Sequence, residues 1–229
     1  MNTPIISVII PAFNEEKSIG KVVADIPRDL VAHVIVVNNN STDNTVQVAN
    51  EAGAIVLDEL RKGYGWACLK GIEKSKELNT EIVVFLDGDY SDFPEEIIDV
   101  VRPILEDDFD MVIGSRVLGK REKGSLTPQQ VFGNWLATRL MRVFYRAKFS
   151  DLGPFRSIKS EALEQLKMAD KTYGWTIEMQ IKAAKHKMKF CEVPVNYRKR
   201  IGVSKVSGTV KGTVMAGVKI IGAIFKYRF

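Results

Sequence analysis

The chain has 229 residues, 45% hydrophobic and 27% charged, the balance of an ordinary soluble globular chain with one sizeable core. Two cysteines, Cys68 and Cys191, exclude a disulfide scaffold. No run of about 18 apolar residues is long enough to span a membrane, and the stretch from Met1 to Ile6 lacks a secretory pattern, so a cytoplasmic protein is expected.

The net charge of +5 hides an asymmetry: residues 1–110 carry 9 Lys and Arg against 21 Asp and Glu, and residues 111–229 carry 24 against 7. Such a split fits contact with nucleic acid or membrane, or an enzyme whose first half holds a metal and whose second half receives phosphate. Aromatic residues do not interleave with the basic ones as a base-stacking surface requires, so nucleic acid is not an expected partner.

In chain order, Ile5–Ile10 reads as a buried strand ending at Pro11-Ala-Phe-Asn-Glu15, and Ile19, Val22, Val23 and Ile26 have helical spacing. His33–Val37 is a second strand. The polar run Asn38–Thr45 follows it and supplies caps for a helix over about 46–52. Ala54–Leu57 is a short strand, and Arg61-Lys-Gly-Tyr-Gly-Trp-Ala67 leads into a helix reaching about Leu78. Ile82–Leu86 is apolar and rich in β-branched residues, the pattern of a strand buried on both faces. A helix over about 94–105 and a strand over 110–115 come next, then a polar, mobile-looking surface loop over 119–128. Residues 129–147 and 160–166 read as helices. A further helix opens at Gly174-Trp175, residues 189–194 read as a strand, and residues from about 210 onward are helical. Asp151–Arg156 is turn-like and fits neither pattern. Strands alternating with helices predict a mostly parallel α/β sheet.

The stretch that organises the rest is Asp87-Gly88-Asp89, with Asp92 close behind, at the carboxyl end of the most buried predicted strand. Carboxylates there sit where open α/β sheets bind ligands. Two hard oxygen donors in a tight turn suit Mg²⁺ or Mn²⁺, which completes its shell with water and phosphate. A solvated acidic loop before a helix is the plain alternative. Lys62-Gly-Tyr-Gly places glycines and a cation ahead of a helix N-terminus, an arrangement that suits phosphate, or else marks a flexible loop with a charged tip. Trp175 has the ordinary reading of core packing. A cation at a helix C-terminus explains His186 better than catalysis does.

Taken in order, Val8–Glu15, Ser41–Thr45, Lys62–Ala67, Asp87–Asp89, Gly114–Arg116, Asp151 with Phe155-Arg156, and Glu192–Pro194 with Arg200 and Ser204-Lys205 resemble the family 2 glycosyltransferases. The branch most similar is that of dolichol-phosphate mannose synthases and polyprenyl-phosphate glycosyltransferases. The resemblance implies a GT-A (Rossmann-like) fold in a single domain over residues 1–229. A nucleotide-sugar-binding half spans 1–116, and an acceptor half spans 117–229 with a C-terminal amphipathic helix. It further implies an inverting transfer of a sugar from a nucleoside diphosphate to an acceptor, assisted by Mg²⁺ or Mn²⁺. Donor contacts fall on Pro11, Ala12, Asn14, Glu15, Asn39, Lys62, Gly63, Asp87 and Gly88, and the metal on Asp89 with Asp87. Phosphate or acceptor contacts fall on Arg116, Arg156, Arg200 and Lys205, whose forks and ammonium suit phosphate oxygens.

Two departures stand out. Asn38-Asn39 replaces the family's usual acidic pair, and Gly153-Pro154 replaces its Ser-Gly before Phe155-Arg156. A polyprenyl phosphate is ionised near pH 7 and needs orientation, whereas a hydroxyl acceptor would call on Asp151 or Glu178 as general base. A soluble or glycan acceptor and a non-catalytic nucleotide-binding protein stay open. The C-terminal helix either lies peripherally on the inner face of the membrane or packs on the domain.

Overall fold

The computed structural model describes residues 4–202 and 210–228. Within these residues, seven strands form one sheet: β1 (Ile6–Ala12), β2 (His33–Asn38), β3 (Ile55–Asp58), β4 (Ile82–Phe85), β5 (Met111–Ser115), β6 (Arg156–Lys159) and β7 (Phe190–Pro194). Their order is β3-β2-β1-β4-β6-β5-β7. Four of the pairings are parallel, and only β6 runs antiparallel, wedged between β4 and β5. The mostly parallel α/β class expected from the alternation of elements is the one observed.

β6 is the strand that sequence pattern does not show. It has four residues, Arg-Ser-Ile-Lys, with no run of β-branched residues and no alternation to mark it. It forms because β4 and β5 each leave one edge of backbone donors and acceptors inside the protein, and buried backbone groups must be paired. Phe85 and Ile113 both face Arg156 across these ladders. The hydroxyl of Ser157 also donates to the carbonyl of Val100 at 2.5 Å.

Among the described residues, eight helices flank the sheet: α1 (Ile19–Asp25), α2 (Thr45–Glu51), α3 (Tyr64–Glu77), α4 (Ile97–Asp107), α5 (Pro128–Tyr145), α6 (Ser160–Leu166), α7 (Trp175–Lys185) and α8 (Val210–Lys226). A 3₁₀ turn, Pro94–Glu96, precedes α4. The residue-by-residue alternation of the strands divides the core. Ile6, Val8, Ile10, Val34 and Val36 pack with α1, α2 and α4. Ile9, Ile35, Val37, Val83 and Phe85 face the other way and pack with α3, α5, α6, α7 and α8.

Local chemistry explains the element ends. α4 buries Ile97, Val100, Val101 and Ile104 as one stripe at helical spacing and stops at Asp108, whose φ of 57° is left-handed. α5 begins with a capping box between Thr127 and Gln130, followed by Pro128 in its first turn. Because β1, β2 and β4 run parallel, their carboxyl ends arrive at one edge of the sheet.

Phe85, 1% exposed, ends β4 and meets Trp175 of α7 edge-on at 6.0 Å. Phe85→Ala is expected to cost about 3–5 kcal/mol of unfolding free energy in urea titration, with an unchanged slope.

Candidate active site

The edge where β1, β2 and β4 end carries a cleft of about 340 Å³, within the size range of small-ligand sites. Pro11, Ala12, Phe13 and Glu15 enter it from the end of β1, Asn39 from β2, and Asp87, Gly88 and Asp89 from β4. Lys62, Gly63 and Tyr64 come from the N-terminus of α3, Tyr173 from the turn before α7, and Arg200 from the segment after β7. Eight of the nine residues expected to bind a donor therefore line this one cleft.

The carboxylates are held unequally. Asp89 is buried, and its Oδ1 accepts from the backbone N–H of Ser91 at 2.9 Å and from the Ser91 hydroxyl at 2.5 Å. Its Oδ2 lies 3.0 Å from the Arg200 guanidinium, which also reaches Glu15 at 3.5 Å. Asp87 accepts from the Tyr64 hydroxyl at 3.1 Å. Burial, and after it the charge of Asp89, push the Asp87 pKa up to about 7. Burial also drives Asp92 well above the usual carboxylate range, with Asp87 and Asp89 adding to it, and among the described residues neither of its oxygens has a hydrogen-bond partner.

A divalent cation suits this donor set. Asp87 and Asp89 are hard oxygen donors sharing one cleft, and among the described residues no cluster of three or more His, Cys, Asp or Glu could hold an ion by itself. An ion held by one or two carboxylates and completed by water and phosphate is the usual Mg²⁺ pattern. The Arg200 guanidinium supplies positive charge at the same Asp89 oxygen.

Two expected contacts have other partners. Asn39 lines the cleft, but its amide donates to the carbonyls of Glu59 and Arg61 at 2.9 and 2.8 Å and accepts from Gly63 N–H at 2.8 Å. It buckles β2 to the glycine turn of α3. Asn14 stands just outside the lining in a left-handed conformation (φ 55°). Its N–H donates to the Ser41 hydroxyl at 3.0 Å and its side-chain oxygen accepts from Thr42 N–H at 2.8 Å, joining the loops after β1 and β2.

Asp151, Arg116, Arg156 and Glu178 lie outside the lining. Asp151 is buried in a bidentate pair with Arg116, at 2.8 and 2.7 Å. Burial opposes both charges, yet each partner outweighs it, so the Asp151 pKa is lowered and that of Arg116 raised. Arg156 is fully buried and donates to the carbonyls of Thr176, Leu152 and Gly153, and burial brings its pKa down to about 10. Glu178 is fully buried against backbone amides and Lys182. Lys205 lies outside the described residues.

Sequence reasoning did not single out Tyr64, Tyr173 or Arg198. Tyr64 stands inside the Lys62-Gly-Tyr-Gly motif, so position was its available signal. Arg198 stacks over Tyr90 and Phe93 at 3.5 and 4.1 Å and donates to the carbonyls of Tyr90 and Asp92, pinning the loop behind the carboxylates to the segment that carries Arg200.

The description "Glycosyl transferase family 2" matches residues 7–167 of the chain. The chain belongs to glycosyl transferase family 2. An uncharacterized glycosyltransferase of Mycobacterium tuberculosis is 34% identical over 218 residues, covering 92% of this chain and 94% of that one. UDP-N-acetylglucosamine–dolichyl-phosphate N-acetylglucosaminyltransferase of Methanococcus voltae is 30% identical, covering 85% of this chain and 86% of that one. A dolichyl-phosphate hexose transferase of Haloferax volcanii is 29% identical, covering 92% and 90%. Among solved structures, glucosyl-3-phosphoglycerate synthase of Mycobacterium tuberculosis with Mn²⁺, UDP and phosphoglyceric acid superposes with a TM-score of 0.79. It covers 98% of this chain and 78% of that one at 21% identity, a likeness of fold. The family 2 glycosyltransferase described here thus has the GT-A architecture, and its β4 carboxylates stand at the sheet edge where such a sheet takes its ligand.

The raised Asp87 pKa has a signed consequence for this glycosyltransferase. The folded state keeps that proton up to about pH 7, whereas the unfolded chain releases it near 3.8. The folded state therefore binds more protons across that window, and stability falls as pH rises through it. In EDTA, the loss of stability between pH 5.5 and 7 should be larger in wild type than in Asp87→Asn by about 1–2 kcal/mol, measured by urea unfolding. An equal loss in both proteins contradicts the assignment.

Proposed function

We propose that this family 2 glycosyltransferase moves a sugar from a nucleoside diphosphate sugar to a polyprenyl phosphate, with inversion and with help from Mg²⁺ or Mn²⁺. The observation that carries the donor side is the meeting of Asp87, Asp89, Lys62, the Gly63 turn and Arg200 in one cleft. The N-terminus of α3 and Lys62 suit a diphosphate. Asp89 with Asp87 would hold the cation, which when bound stabilises charge on the departing diphosphate. Arg200 stands beside that charge and can exchange its Asp89 partner for a phosphate oxygen. In the transfer, the bond from the sugar's anomeric carbon to the diphosphate oxygen breaks, its electron pair leaving with the nucleoside diphosphate. The acceptor oxygen forms the new bond from the opposite face.

A phosphate acceptor is favoured by the state of the two carboxylates expected to serve as bases. Asp151 is tied to Arg116, and Glu178 to backbone amides and Lys182. A phosphate oxygen, with a second pKa near 6, attacks without either of them. The names of the relatives from Methanococcus voltae and Haloferax volcanii point the same way.

The surface also suits delivery from a lipid bilayer. No described helix is long and apolar enough to cross a membrane. Yet α5 exposes Val131, Phe132, Trp135 and Val143, and α8 exposes Met215, Val218 and Phe225. The two helices pack together, with Phe144 on Phe225 at 5.3 Å and the Tyr145 hydroxyl donating to the Ile224 carbonyl at 2.5 Å. Residues 123–150 and 193–229 contain no Asp or Glu, so this face suits the interface of an anionic membrane.

Thermal unfolding against UDP, GDP, CDP and dTDP with Mn²⁺, Mg²⁺ or EDTA tests the donor side. One nucleotide should stabilise the fold, by about 2.7 kcal/mol at a hundredfold excess over its Kd, only with metal and not in Asp89→Ala. Using the matching nucleotide sugar, transfer to a polyprenyl phosphate in detergent should fall roughly a hundredfold or more in Asp89→Ala. Transfer only to soluble hydroxyl acceptors would overturn the acceptor assignment. Separately, Phe132→Glu with Trp135→Glu should weaken binding to phosphatidylglycerol vesicles by about tenfold, leaving soluble donor binding unchanged.

A further inference from the structure

Glu178 sits in the first turn of α7 with its side chain fully buried. Its carboxylate accepts from the N–H groups of Ala169 (2.9 Å) and Asp170 (2.7 Å), pairs with Lys182 at 2.7 Å, and accepts the Tyr227 hydroxyl at 2.6 Å. Tyr227 follows the last residue of α8 and continues its helical bonding, its N–H donating to the Ala223 carbonyl at 3.0 Å. A second bond from the same helix reaches the same turn, from the Lys219 ammonium to the Thr172 hydroxyl at 2.5 Å. Asp170 in turn accepts from the N–H groups of Thr172 and Gly174, at 2.7 and 3.1 Å, which sets the shape of residues 170–174.

That turn is pressed against the donor cleft. A Cβ on Gly63 would lie 2.2 Å from the Lys171 carbonyl oxygen, and one on Gly65 2.1 Å from that of Asp170. The two backbones touch, and only glycine leaves room. Lys171 also lies over the Trp66 ring at 4.3 Å, and Tyr173 forms part of the cleft wall. A carboxylate that merely favours the start of a helix needs neither the Tyr227 hydroxyl nor contact with the cleft.

We infer that Glu178 is a positioning residue that ties the C-terminal helix to the glycine turn of the donor cleft, through Tyr227 on one side and the 169–174 turn on the other. The carboxylate fixes the turn, the turn seats Gly63 and Gly65, and α8 holds the carboxylate. Its bearing on sugar transfer rests on the proposed function; the mechanical link does not. Because coupling between two sites is reciprocal, what docks on α8 and what occupies the donor cleft then influence each other.

Tyr227→Phe removes one hydroxyl and keeps the ring. Amide hydrogen exchange of the full chain without any nucleotide should quicken about five- to tenfold at residues 169–174 and at 62–67, with the rest of the sheet unaltered. Unchanged exchange at 62–67 would overturn the link, whatever happens at 169–174. Kinetically, Tyr227→Phe and Glu178→Gln should each raise the KM for the nucleotide sugar about five- to tenfold, with kcat within threefold of wild type and the pH profile of kcat unmoved. A hundredfold or greater fall in kcat with loss of the acidic limb in Glu178→Gln would identify a general base instead. A wild-type protein that turns over no nucleotide sugar removes the transfer reading, and the exchange measurement still decides the link.

Discussion

Negative charge concentrates at the end of β4, and the surrounding elements are arranged to offset it. Asp87, Asp89 and Asp92 lie within six residues, and Asp151 adds a fourth carboxylate whose field reaches Asp92. At an effective dielectric of about 20, two like charges 4 Å apart repel by about 4 kcal/mol, so this edge cannot carry four bare anions. The structure answers in three ways. Arg116 neutralises Asp151, Arg200 neutralises the outer oxygen of Asp89, and Asp87 and Asp92 hold protons more tightly than ordinary carboxylates. A site arranged so is poised for positive charge, and a divalent ion with its phosphates fits that need.

The cations that meet these carboxylates come from far along the chain. Arg116 leaves β5 and Arg200 follows β7, strands that stand on the far side of β6 from β4. Inserting β6 antiparallel lets the segment before it turn back over the same edge, so that Asp151 meets Arg116 and Arg156 is enclosed by carbonyls. Much of the buried polar chemistry here holds loops in place. Glu192 caps the amides of Ser150 and Asp151, Glu178 those of Ala169 and Asp170, and Asn39 the turn at Gly63. Buried backbone groups demand such partners, and loops around a cleft have many of them.

The first half of the chain and the two acid-free helices divide the work by charge. The acidic half carries the carboxylates that line the cleft; α5 and α8 present apolar and basic residues outward. The turn between α6 and α7 touches both, which gives a peripheral surface a physical connection to the cleft.

The elements of the first half are legible along the chain, because buried parallel strands write continuous apolar runs and their helices write stripes. Much of the cleft lining was legible along the chain too: Pro11, Ala12, Glu15, Lys62, Gly63, Asp87, Gly88 and Asp89 all stand at element ends that a parallel sheet must bring to one edge. The three-dimensional arrangement alone gave Asp151, Arg156, Glu178 and Asn39 their partners; their residue types suit catalysis or anchoring equally well. It alone revealed β6, whose four residues carry no pattern, and Tyr173, which reaches the cleft through a turn. Those outcomes depend on which backbone groups are left unpaired when distant segments meet, and spacing along a chain does not record that.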